Sequence, residues 1–171
     1  MNKIGQLNSG KWTPLRQEIE AIRKGLKVTE ENFAPVGLDD WATIEEKLYQ
    51  SFCVINHYKS RPLWLWTAFK QDTCSVMFNE NPFINLDKLI DESESIWFFV
   101  NETVNEKDKF WFYSGHIKAI QKIIAECSEI DEMYFASKKY EWLICINHHN
   151  CMFATGIKMP DKLKMLFPKQ I

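Results

Sequence analysis

The chain has 171 residues and a mass of 20.3 kDa, a size that buries about 70% of its unfolded surface without help from metals or disulfides. Its 46% hydrophobic and 26% charged content, with six Gly and six Pro, excludes a disordered, collagen-like or mucin-like chain. The net charge of -2 is uneven, because residues 72–108 carry 2 basic and 9 acidic side chains while residues 109–171 carry 9 basic and 6 acidic; that acidic middle argues against nucleic acid and suits a basic protein partner.

Residues 1–12 read as a loose tail ahead of a single domain. Thr13-Pro14 then predicts a helix start, with Leu15, Ile19 and Ile22 on one stripe and Gly25 as its stop. Residues 26–36 show no period and read as a connection. A second amphipathic helix follows, capped by Asp39 or Asp40, with Trp41, Ile44, Leu48 and Phe52 on its apolar face. Residues 62–69 alternate like a strand but are rich in bulky rings, and lean to a short helix. Residues 74–78 read as a strand, and Leu86, Leu89 and Ile90 as one or two helical turns.

From residue 95 onward the pattern turns to strands. Residues 96–100 and 110–113 are apolar β runs, joined by a polar loop over 101–109, with Ser114-Gly115 as the expected end of the second. The clearest helix of the chain spans 116–127, where Ile117, Ile120, Ile124 and Cys127 share a face. Strands at 133–136, 141–146 and 151–155 follow, the last two joined by Asn147-His148-His149-Asn150. A short helix at 160–166 closes the order. Clustered strands broken by one helix predict an α+β fold, an antiparallel sheet of about five or six strands with helices packed on one face.

Five cysteines without a CxxC, each beside apolar residues, read as free thiols in a reducing cytosol. No apolar run approaches 18 residues, so no membrane span is expected. The opening MNKIGQLNSGKW lacks the apolar stretch of a secretion signal. A cytoplasmic protein is the expectation.

His148-His149 is the pair that raises metal chemistry. Cys145, Asn147, His149 and Cys151 would share a face of a straight strand, yet the two asparagines favour a turn, which separates them. Catalytic zinc needs three protein ligands and no HExxH accompanies the pair, so no metal and no cofactor are expected. The plain reading has one imidazole bonded to turn carbonyls and the other in solvent. His116, at the first turn of the strongest helix, and His57 carry less signal. No GxSxG, GxGxxG or phosphate loop occurs, and no catalytic residue is assigned.

Aromatic residues number 24 of 171, seven of them tryptophan. Trp97-Phe98-Phe99 and Phe110-Trp111-Phe112-Tyr113 place rings on both faces of adjacent strands. They serve either a core closed on both sides or an exposed anchor for a protein. Lys138-Lys139-Tyr140 and Lys158, Lys162 and Lys164 are basic clusters that could balance the acidic middle in a homodimer.

The strings KFWFYSGHIKAIQKII and DEMYFASKKYEWLICINHHN resemble a family of small bacterial proteins catalogued as a domain of unknown function. Its marks are a G-x-I-x-A-I helix, here Gly115, Ile117, Ala119 and Ile120, and a Y-x-x-S-K-K-Y-x-W-L-x-C-x-N-H-H hairpin, here Tyr134 to His149. In that family an acidic residue often follows the histidine pair, where this chain has Asn150. The resemblance implies no catalytic mechanism. In size and form the family is similar to toxin-immunity proteins, which act by occluding a partner. The expectation is a protein-binding module, immunity-like, with Tyr134, Lys138, Tyr140, His148 and His149 as candidate partner- or ligand-binding residues. The alternative is a small-ligand sensor or enzyme with a pocket at His148/His149.

Overall fold

The computed structural model describes residues 14–55, 62, 64–101, 110–128 and 130–168. The expected tail at 1–12, the loop at 102–109 and His57 lie outside the described residues. Seven strands form one antiparallel sheet: β1 (Phe33–Pro35), β2 (Thr73–Met77), β3 (Ser95–Asn101), β4 (Trp111–His116), β5 (Glu132–Ser137), β6 (Trp142–Ile146) and β7 (Cys151–Gly156), in the order β1-β4-β3-β5-β6-β7-β2. Every pairing is antiparallel. The α+β class holds, with more strands than the sequence suggested.

Strand alternation sends successive side chains to opposite faces. Ile96, Phe98, Val100, Trp111, Tyr113, Phe135, Ile144 and Met152 join the core beneath α1 (Pro14–Gly25), α3 (Leu86–Leu89), α4 (Ile117–Ile124) and α5 (Met159–Leu166). Phe99, Phe112, Tyr134, Leu143 and Cys145 join a second core under α2 (Trp41–Phe52) and a 3-10 turn at Leu65–Ala68. The helices therefore do not all lie on one face. The reason is the ring content of β3 and β4: with large apolar groups on both sides of one strand, neither face can stay wet.

Within residues 62–69, Leu65–Ala68 form a short helix as the sequence leaned, of 3-10 type. Two other local readings are corrected. The stretch 26–36 contains β1, whose Phe33 is fully buried against Tyr113. Finally, β4 runs on through Ser114-Gly115 to His116. Gly115 serves close strand approach there, because a Cβ would stand 2.8 Å from the Asn32 carbonyl oxygen. The strongest helix forms as expected, with Ile120 and Ile124 buried, and Phe99 and Leu143 are buried on the opposite face.

Candidate functional site

Polar groups are concentrated at one end of the second face. Asn101 at the end of β3 pairs in register with Glu132 at the start of β5, and Tyr134 pairs with Cys145 of β6. All four side chains point to the same side by strand parity. Glu132 is fully buried. Its Oε1 lies 2.7 Å from His148 Nδ1, while Oε2 accepts from the Tyr134 hydroxyl at 3.3 Å and the Cys145 thiol at 3.7 Å. The Tyr134 oxygen in turn accepts from the Leu65 backbone N–H at 3.3 Å, tying the cluster to the 3-10 turn above it.

Burial pushes the Glu132 carboxyl above the usual glutamate range, and the bond and charge of His148 oppose that shift. Burial also raises the Tyr134 phenol and the Cys145 thiol well above their ordinary values, with the neighbouring Glu132 charge adding to both. Cys145 is therefore an inert thiol, unsuited to nucleophilic attack. Asn101 is fully buried with both amide atoms unbonded.

The β6–β7 turn sets the histidines. The Asn147 side-chain oxygen accepts from the His149 and Cys151 backbone N–H groups, both at 3.0 Å, and Asn150 adopts a left-handed φ of 56°. Asn and Asp do both readily, which is why NHHN turns here. His148 then reaches inward to Glu132 with its side chain one-third exposed. The His149 ring lies 4.0 Å from the His148 ring, and the Trp64 ring lies 5.6 Å from the His148 ring. With Glu132 ionised, Nδ1–H donates inward and Nε2 is left facing away from the carboxylate. Beside the turn runs a groove of about 290 Å³, lined among others by Phe83, Ile124, Met133, Asp131, Asn147 and His148.

The five candidates from the sequence do not form one site. Tyr134, His148 and His149 meet at this end. Lys138 and Tyr140 sit in the β5–β6 turn at the other end, since β5 and β6 are joined there. Lys138 donates to Ser114 Oγ at 2.6 Å and lies over the Trp97 ring, and Tyr140 carries a left-handed φ of 59°. Both have structural work in that turn. The plain histidine reading is also corrected: His148 bonds a buried carboxylate and not a turn carbonyl. The carboxylate absent at Asn150 is supplied instead by Glu132. Sequence reasoning passed over Glu132 because it precedes a strand in a polar run; only the alternation Glu132, Tyr134, Ala136 could have placed it inward. Trp64 had no local signal. Among the described residues, no group of three or more His, Cys, Asp or Glu is placed to hold a metal ion, and no helix is long and apolar enough to cross a membrane.

The fold and this cluster define an all-antiparallel α+β protein with a carboxylate–histidine pair at one end of its sheet. Residues 11–167 match a family of unknown function, DUF6756, and the chain belongs to that family. No curated protein and no solved structure matches the chain.

Proposed function

We propose that this is a bacterial, cytoplasmic protein-binding module, immunity-like in acting by occupying a partner, and that it engages the partner at the His148–His149 turn. One observation carries the reading: His148 is held from below by a fully buried carboxylate while Trp64 and His149 pack beside its ring. Anchors fixed before association lose less entropy on binding, and tryptophan is the side chain most enriched at energetic centres of interfaces. Both histidines are exposed on the turn, and His148 lines the groove beside it, a form that suits a surface contact. The groove suits a basic side chain of the partner. Its stem would lie on Ile124 and Met133, and its charge near Asp131 and the carbonyl end of α4.

A second reading, a small-ligand sensor or an enzyme, draws on the 2.7 Å contact itself, since a buried carboxylate also orients an imidazole for proton transfer. Affinity capture from the native cell with wild type and with Trp64→Ala/His149→Ala separates the two. The expected result is a stoichiometric basic protein held by wild type, lost from the double variant and released as salt rises. A protein captured equally by both, or a small molecule co-purifying through His148 with no protein, would overturn the binding reading in favour of the second.

A further inference from the structure

The two edges of the sheet are not alike. At one edge, β1 has three residues and contains Pro35, which cannot donate to a further strand. At the other edge, β2 has five residues, Thr73–Met77, with no proline and no charge. Its register with β7 runs from Thr73–Thr155 to Met77–Cys151 without a bulge. Among the described residues, no strand pairs with its outer side. Natural edges are usually blunted by lysine, proline, a bulge or a cover. This one has none of the first three.

The hydrogen-bonding phase of β2 follows from one bond. The Phe78 N–H donates to the Asn150 carbonyl at 3.1 Å. Bonded and non-bonded pairs alternate along an antiparallel ladder, so Val76 and Cys74 are the next residues bonded to β7. The backbone N–H and C=O groups of Thr73, Ser75 and Met77 therefore point out of the sheet.

We propose that β2 pairs with β2 of a second copy of this chain, antiparallel, about a two-fold axis at Ser75. Ser75 then lies opposite Ser75 of the second copy, and Thr73 opposite Met77 of the second copy. This register matches outward groups with outward groups and forms roughly six backbone hydrogen bonds. A shift by two residues loses a bonded pair, and a shift by one sets outward groups against inward ones. The interface is isologous. It also covers Met77, which is 63% exposed in the single chain. The two sheets become one continuous sheet, with both His148 turns left free.

The test is sedimentation velocity of the full chain over a concentration series. Wild type should sediment as a dimer that dissociates on dilution. Ser75→Pro should remain folded by circular dichroism, because proline is tolerated where an edge N–H faces out, and should be a monomer. Met77→Lys, at an exposed position, should also be a folded monomer. A wild-type chain that stays monomeric throughout the series would overturn the proposal. So would folded Ser75→Pro and Met77→Lys chains that dimerise like wild type.

Discussion

The two faces of the sheet are built from the same strands and differ in kind. Under α1, α3, α4 and α5 the strand side chains are mainly apolar, with Phe98 stacked on Phe135 and tilted against the Phe33–Tyr113 pair. Under α2 the Phe99 ring stacks on Phe112 and on Tyr134, each at 4.9 Å, with Phe110 edge-on to Tyr134 at 5.5 Å. Yet this second face ends in Asn101, Glu132, Tyr134 and Cys145, all inaccessible to solvent. An apolar interior is cheap to assemble, whereas buried polar groups are stable only as far as they are hydrogen-bonded. The first face supplies stability, and the second gives part of it up to hold one histidine in place.

Substitutions sharpen that contrast. The largest loss is expected on the first face: Ile120→Ala leaves a cavity in the fully buried α4 contact and should cost about 2–5 kcal/mol in denaturant unfolding. An effect comparable to a surface change would break the assignment of stability to that face. Asn101→Leu should act in the opposite direction, because it removes two buried unbonded amide atoms; a gain of about 1–3 kcal/mol is expected. A loss instead would mean that the amide is bonded in solution. Tyr134→Phe keeps the ring stack with Phe99 but deletes the hydroxyl between Leu65 and Glu132. It should cost about 1–2 kcal/mol and shift the chemical exchange of the His148 ring protons in NMR spectra, which a purely packing role would leave alone.

Glu132→Gln tests the electrostatics through pH. Because burial holds this carboxyl above its unfolded value, the folded chain keeps its proton where the unfolded chain has lost it. The contribution is full below the ordinary glutamate range and falls as pH rises through the folded value. Relative to wild type, Glu132→Gln should therefore gain stability as pH climbs from that range, read as denaturant midpoints across a pH series. A gap moving the other way would contradict the raised value. The smallest effect belongs to the exposed bridge from Lys118 to Asp87 at 2.6 Å and Glu92 at 3.2 Å. Lys118→Ala should lower the melting temperature only slightly, and not at all in high salt.

Much of the fold was legible in local pattern. The 3.6-residue stripe of Ile117, Ile120 and Ile124 made a helix with one buried face, and the alternating rings of β3 and β4 made strands. The NHHN turn followed from two asparagines. What escaped was long-range. β1 is three residues in a stretch without period, and it exists because its partner β4 runs past Gly115. The short run at 62–69 alternated like a strand while its bulk leaned to a helix, and its 3-10 turn is tied to the sheet beneath through the Tyr134 hydroxyl.

By itself, the sequence determined that this chain builds an antiparallel sheet with helices and that bulky rings line both sides of its central strands. These properties are periodic, and a period of two or 3.6 residues is written into neighbours along the chain. Only the tertiary structure decided that Tyr134 and His148 share a carboxylate while Lys138 and Tyr140 stand at the far end. Glu132 and His148 are 16 residues apart, and their meeting depends on the register of β5 on β6. A slip of one residue there would turn Glu132 to the other face. Register is set by the sum of packing on both sides of the sheet, which no local run of residues contains.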